Sequence, residues 1–208
     1  MQINGFSLGP LGTNCYIVYH GNQAIIIDPG EEANRIMEWL TENKLVPLAI
    51  LLTHAHFDHI GAVEDLRNHF TIPVYVHPNE ASWLSEPSLN GSVLFLRKEV
   101  KTREAEILIE PGLLQIGPFE FEILYTPGHS PGSVSFYWKK EKKLISGDVL
   151  FNQGIGRTDL PGGDFNVLKE SILYKLYQLP DDITVYPGHG PSTTIGDEKR
   201  LNPFIRPV

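Results

Sequence analysis

Ala49-Ile50-Leu51-Leu52-Thr53-His54-Ala55-His56-Phe57-Asp58-His59 is the stretch on which the reading of this chain turns. Four apolar residues, Ala49–Leu52, have the length and character of a strand buried on both faces. Three histidines and an aspartate follow between positions 54 and 59, and Ile60, Val63, Leu66 and Phe70 then recur at helical spacing. The polar run therefore occupies a strand-to-helix turn, with the helix beginning near Ile60. A turn of this kind projects alternating side chains from a rigid edge, His54 and His56 toward one point and Asp58 and His59 toward a neighbouring one. Imidazole nitrogen and carboxylate oxygen are ligands for zinc and several other divalent ions, so the run has the chemistry of a metal site.

Three further candidates share this setting. His129 follows Tyr125-Thr126-Pro127-Gly128, Asp148 follows Leu144-Ile145-Ser146-Gly147, and His189 follows Val185-Tyr186-Pro187-Gly188. Each lies in a glycine-containing turn after an apolar strand, where glycine permits unusual backbone angles and close approach to an ion. Singly, each is also an ordinary turn residue. Together with the first cluster they complete seven ligands: His54, His56, Asp58, His59, His129, Asp148 and His189. His20, His69 and His77 have no partner at ligand spacing and read as turn, helix-end and strand-end residues. Cys15 reads as a small buried strand residue.

The chain has 208 residues, 41% hydrophobic and 20% charged, which suits one globular domain, 1–208, with two strand-rich halves and no linker. A net charge of −8 argues against a nucleic-acid partner and leaves metal ions to supply positive charge for an anionic substrate. No apolar stretch has the length of a membrane span, and Met1-Gln2-Ile3-Asn4 lacks a signal-like start. With one cysteine, a cytoplasmic location is expected. Strands are expected at 14–19, 24–27, 49–52, 73–76, 119–125, 133–138, 144–146 and 183–186, with helices at 31–43, 60–70 and 165–178. The less regular segment 82–103 is a candidate lid. Strands and helices mixed throughout favour a sheet-on-sheet core covered by helices.

The patterns Thr53-His54-x-His56-x-Asp58-His59, Thr126-Pro127-Gly128-His129, Gly147-Asp148 and Gly188-His189 together resemble the metallo-β-lactamase superfamily. Ile155–Asp164 and Gly190–Glu198 resemble its short bacterial glyoxalase II-like (hydroxyacylglutathione hydrolase-like) members. The resemblance spans nearly the whole chain. It implies an αββα sandwich of the α/β (α+β) class, two mixed β-sheets packed face to face with helices outside. It also implies that His54, His56 and His129 hold one metal ion, that Asp58, His59 and His189 hold a second, and that Asp148 bridges both. Zinc is the expected ion, with iron or manganese as substitutes. Many β-lactamases of the superfamily have a cysteine where Asp148 stands, which weighs against antibiotic hydrolysis.

These readings give a binuclear hydrolase acting on a thioester, an S-lactoyl-type adduct of a small thiol, through hydroxide generated at the ions. Asp58 would both bind metal and orient the hydroxide, and Arg157 stands where related enzymes place a basic thiol-binding residue. A salt bridge from Arg157 to Asp159 or Asp164 is the competing reading of that side chain. Longer glyoxalase II enzymes hold glutathione with a C-terminal helical domain, whereas 19 residues follow His189 here. The resemblance therefore implies thioester chemistry and leaves the thiol carrier, glutathione or another small thiol, open. The rival function in the same branch is a persulfide dioxygenase with a single iron. A nuclease and a non-catalytic metal-binding module are the weaker alternatives.

Overall fold

The computed structural model describes residues 1–96 and 98–207, which cluster into two compact units. The amino-terminal unit is Met1–Ile109 with Gln115–Phe119, and the carboxy-terminal unit is Glu110–Leu114 with Glu120–Val208.

The amino-terminal unit holds β1 (Gln2–Leu8), β2 (Thr13–His20), β3 (Gln23–Ile27), α1 (Ala33–Glu42), β4 (Val46–Leu51), α2 (Phe57–Ile60), α3 (Val63–Phe70) and β5 (Val74–Val76). A 3-10 helix (Pro78–Leu84), α4 (Ser92–Leu96) and β6 (Ile107–Leu108) follow. Its sheet runs in the order β1-β2-β3-β4-β5-β6, antiparallel from β1 to β3 and parallel from β3 to β6. Residues 24–27 of β3 and 49–51 of β4 are apolar and fully buried, as strands covered on both faces require. Ile36 and Leu40 of α1 and Val63 and Leu66 of α3 pack with Ile26, Ile50 and Val74 in one buried cluster. Burial of each such side chain stabilises the fold by about 1.5–3 kcal/mol.

The second sheet runs β14-β13-β10-β9-β8-β7. Its strands are β7 (Gly112–Ile116), β8 (Phe119–Tyr125), β9 (Val134–Trp138), β10 (Lys143–Gly147), β13 (Thr184–Pro187) and β14 (Thr193–Thr194). A two-stranded hairpin, β11 (Leu150–Phe151) with β12 (Gly154–Ile155), and the helices α5 (Phe165–Tyr174) and α6 (Ile195–Leu201) complete the unit. β9 is antiparallel to both β8 and β10, and β10 is parallel to β13, so β8, β10 and β13 end on the same side. In each sheet, then, several co-directional strands deliver their following loops to one edge, where open sheets place their ligands.

The helix expected over 60–70 is two helices, and the first starts at Phe57. Asp58 and His59 therefore sit in a helical turn, and only His54 and His56 are on extended chain. The break at Gly61-Ala62 has a packing cause. A Cβ on Gly61 would lie 2.2 Å from the carbonyl oxygen of Gly30, and Ala62 N–H donates to Pro29 O at 3.0 Å. The Pro29-Gly30 turn thus takes the Ala62 N–H that a continuous helix would give to the Asp58 carbonyl, and its closeness admits only glycine at 61. The helix expected over 165–178 likewise ends at Tyr174 and resumes as a short 3-10 turn, Leu176–Gln178.

The segment 82–103, of which Arg97 lies outside the described residues, is more regular than its composition suggests. Buried Asn90 donates to the carbonyls of Trp83 and Val100 and accepts from Ser92 N–H, tying both ends of the segment to each other.

Candidate metal centre

In the amino-terminal unit the loops after β3 and β4 meet. Asp28, directly after β3, has φ +50°, and its backbone N–H donates to Leu51 O at 3.1 Å. That turn aims the carboxylate across β4. Oδ1 accepts from Thr53 N–H at 2.8 Å, and Oδ2 accepts from the Thr53 hydroxyl at 2.6 Å and faces His59 Nδ1 at 3.0 Å. The Thr53 hydroxyl lies 3.0 Å from His54 Nδ1 in turn. One buried aspartate therefore orders the Nδ1 side of two histidines, which leaves Nε2 as the nitrogen each ring presents.

His54, His56 and His59 are almost wholly buried. The His54 ring lies 4.8 Å from that of His56 and 4.1 Å from that of His59, centroid to centroid. Asp58 Oδ2 accepts from the Thr13 hydroxyl at 2.7 Å and stands 3.6 Å from His59 Nε2. Gly30 makes this arrangement possible, because a Cβ there would fall 1.8 Å from the carbonyl oxygen of Asp58. The His56 and His59 rings each pack against that of His54, so three nitrogen donors are concentrated beside a carboxylate in a desolvated place. As neutral nitrogen donors they fit a divalent cation. Asp28, His54 and His59 also bring one ligand-type atom each within 4.8 Å of one another. Asp28, however, has both oxygens engaged by Thr53 and His59, so it serves as an orienting group rather than a ligand.

In the carboxy-terminal unit, His129, Asp148 and His189 come together after β8, β10 and β13. Asp148 Oδ2 lies 3.6 Å from His129 Nε2 and 3.5 Å from His189 Nε2, a carboxylate oxygen placed between two imidazoles. His129 Nδ1 donates to the backbone carbonyl of Arg157 at 2.8 Å, which again turns Nε2 inward. Gly188 N–H donates to Gly147 O at 2.8 Å and locks the ends of the parallel pair β10 and β13. Gly128 has φ +126°, and a Cβ on it would meet Leu168 N at 2.2 Å. A Cβ on Gly156 would meet Asp148 O at 1.8 Å. The Phe151 ring stands edge-on to His189, 6.1 Å between centroids.

Arg157, the candidate substrate contact, is bound bidentately to Asp159, Nε to Oδ1 at 2.7 Å and Nη2 to Oδ2 at 2.8 Å. The guanidinium holds the Asp159 carboxyl down to about 2, and the carboxylate raises the arginine in return. Cys15 is buried, and desolvation followed by the charge of Asp28 pushes its thiol well above the usual range, so it is no nucleophile. His77 caps the 3-10 helix by accepting from Asn79 N–H. Thr13 and Glu80 carry no mark of a role in the sequence. Thr13 lies 45 residues from its partner Asp58 and Glu80 lies 25 from its partner Ala55, so only pairing in the fold reveals them.

The chain belongs to the metallo-β-lactamase superfamily, whose family model matches residues 8–189. It takes the α+β metallo-β-lactamase fold of two mixed sheets with helices, and membership with these His/Asp clusters implies bound divalent metal. Among curated relatives it is 52% identical to the "Probable metallo-hydrolase YqgX" of Bacillus subtilis over 99% of this chain and 98% of that one. It is 40% identical to "Hydroxyacylglutathione hydrolase GloC" of Haemophilus influenzae over 92% of each. Among solved structures, "BLEG-1 B3 metallo-beta-lactamase" superposes with a TM-score of 0.96 at 51% identity, covering 98% of this chain and 99% of that one. "TTHA1623 in a di-iron-bound form" follows with a TM-score of 0.88 at 40% identity, covering 97% and 100%. "ETHE1 from Myxococcus xanthus" has a TM-score of 0.82 at 29% identity, covering 98% and 84%.

Proposed function

We propose that the chain is a binuclear metal-dependent hydrolase of the glyoxalase II-like kind, cleaving S-acyl (S-lactoyl-type) adducts of a small thiol. The observation that carries the reading is the placement of Asp148 Oδ2 within 3.6 Å of Nε2 of both His129 and His189, which suits a bridging carboxylate. Forty per cent identity to a protein named hydroxyacylglutathione hydrolase supports the thioester class. In this reading His54, His56 and His129 hold one ion, Asp58, His59 and His189 hold the other, and Asp148 is shared. The mixed nitrogen and oxygen donors suit zinc and equally accept iron or manganese, and a relative with two bound irons supports the iron option.

Two such ions, when bound, supply an acidified water and a polarised carbonyl. The chain's own residues do the rest. The Thr13 hydroxyl fixes the rotamer of Asp58, so that the carboxylate which orients the attacking water does not swing. Asp28 keeps His54 and His59 in the tautomer that presents Nε2, and the Arg157 carbonyl does so for His129. A thiolate, with a conjugate-acid pKa of about 8.5, departs with little protonation and asks for no strong general acid. Arg157 is the proposed contact for a carboxylate of the thiol carrier. Because Asp159 already holds it, recognition exchanges one carboxylate for another.

The substrate is a small molecule rather than nucleic acid, in keeping with the net charge of −8. A cytoplasmic place goes with the single buried cysteine. Among the described residues no helix is long and apolar enough to cross a membrane. Fifty-one per cent identity to a structure named a metallo-β-lactamase favours a second reading, opening of a β-lactam amide by the same carbonyl chemistry. The rival from the same branch is persulfide oxidation at one iron. All three are separated by assaying thioesters, β-lactams and persulfides on protein of measured metal content. Thioester turnover with two metals per chain and no oxygen uptake is expected. Oxygen consumption on a persulfide with one iron, or ring opening without thioester cleavage, would replace the proposal.

A further inference from the structure

Glu80 is a carboxylate with no exposed surface, carried on the 3-10 helix Pro78–Leu84. Its Oε2 accepts the backbone N–H of Ala55 at 3.0 Å. Ala55 is the residue between His54 and His56, and its own side chain is fully buried. On extended chain, alternate residues face one way, so His54 and His56 share a side while the Ala55 peptide is read by whatever lies beside it. A carboxylate accepting a backbone N–H makes a stronger hydrogen bond than a neutral acceptor does. Burying that charge is costly and must be compensated by such partners. The same 3-10 helix sets the Trp83 ring 5.6 Å from the His56 ring, centroid to centroid. One short element thus grips the ligand run twice, once at the peptide and once at the imidazole. His77 fixes where this element begins, through Asn79 N–H on Nδ1 and Glu80 N–H on its carbonyl.

We propose that Glu80 is a positioning residue for the His54-Ala55-His56 run, setting the affinity with which that run holds its metal. The inference rests on the two-metal reading above. Its test is metal affinity, read by competition with a chromogenic chelator on the full chain, beside the thermal melt of the metal-free protein. Glu80→Leu should weaken zinc binding by about tenfold to a hundredfold, the loss typical when a group supporting a ligand is removed. Glu80→Gln, which keeps an acceptor for Ala55 N–H, should stay within about threefold of wild type. Leu66→Ala, a buried core truncation on α3, serves as the control that lowers the melt without moving affinity. If Glu80→Leu binds zinc as wild type does, if Leu66→Ala loses as much affinity, or if Glu80→Gln loses as much as Glu80→Leu, the positioning role is wrong. Should Glu80→Leu not fold, Glu80→Asp, whose shorter side chain draws the carboxylate back from Ala55 N–H, takes its place: weaker zinc binding than in Glu80→Gln supports the role, and wild-type affinity overturns it. Wild-type protein that binds no zinc, iron or manganese overturns the two-metal reading itself.

Discussion

The amino-terminal cluster rests on side-chain carboxylates, and the carboxy-terminal cluster rests on main chain. Asp28 orders His54 and His59 through Thr53 and directly, and Glu80 holds the peptide between His54 and His56. By contrast His129 leans on the carbonyl of Arg157, and the ends of β10 and β13 are joined by Gly188 N–H to Gly147 O. Exposure does not follow that division: His59 and His129 are both buried, and His189 alone of these three is partly exposed, at 29%. Given their different supports, the two clusters should fail in different ways. Removing charge should disturb the first, and adding a Cβ to a glycine should disturb the second.

The largest effect should come from the ligands themselves, where the division does not apply. Asp58→Ala and Asp148→Ala should each lower turnover by about three orders of magnitude or more and reduce metal per chain, measured by elemental analysis alongside rate. Full activity in either variant ends the proposed mechanism. Next in size is Gly156→Ala, whose new Cβ would fall 1.8 Å from Asp148 O. Overpacking against backbone should cost about 1–3 kcal/mol or more, seen as a lower chemical-denaturation midpoint. Gly30→Ala is the exception that tests the contrast, since the same clash with Asp58 O exists in the carboxylate-held cluster. Both should fall, and a tolerant Gly30 would mean that the first cluster can move as a body.

Asp28→Asn should weaken metal binding by about tenfold to a hundredfold, because one acceptor oxygen becomes an amide N–H that cannot accept from Thr53 or His59. Equal affinity in the variant would remove Asp28 as an orienting group. Arg157→Ala should raise KM for a carboxylated thiol adduct more than it lowers kcat, measured by steady-state kinetics. The smallest effect concerns Asp159. Its folded pKa, about 2, lies below the ordinary value near 3.9, so its pairing favours the folded state above that ordinary value. This contribution is lost as pH falls toward 2. In Arg157→Ala the Asp159 carboxyl should titrate back in the usual range by NMR, and an unmoved titration would refute the pairing.

The candidate donors were legible in the sequence because they follow the ends of strands whose apolar runs are unmistakable. Ala49–Leu52 announces β4, so the polar residues that follow must leave its end, His54 and His56 on extended chain and Asp58 and His59 in the first turn of α2. The outer strands were not legible: β6, β11, β12 and β14 are two residues long, too short for any period to show. Asn4 and Gly5 likewise break the pattern of β1. Gly61 is a weak sign of a helix end, but the acceptor that draws Ala62 N–H away, Pro29 O, is distant in sequence and only the fold brings it there.

The sequence by itself determined that metal-binding donor types cluster at strand ends and that the chain belongs to the fold whose pattern they carry. Local spacing is enough for this, because it dictates which side chains leave a strand together. Only the tertiary structure decided which groups hold those donors. Thr13 on Asp58, Asp28 on two imidazoles, Glu80 on Ala55 and the Arg157 carbonyl on His129 are hydrogen bonds between residues 25 to 45 positions apart in all but one link, that from Thr53 to His54. A hydrogen bond needs its two atoms within about 3 Å, a condition set by how strands are ordered in a sheet and invisible to any pattern along the chain.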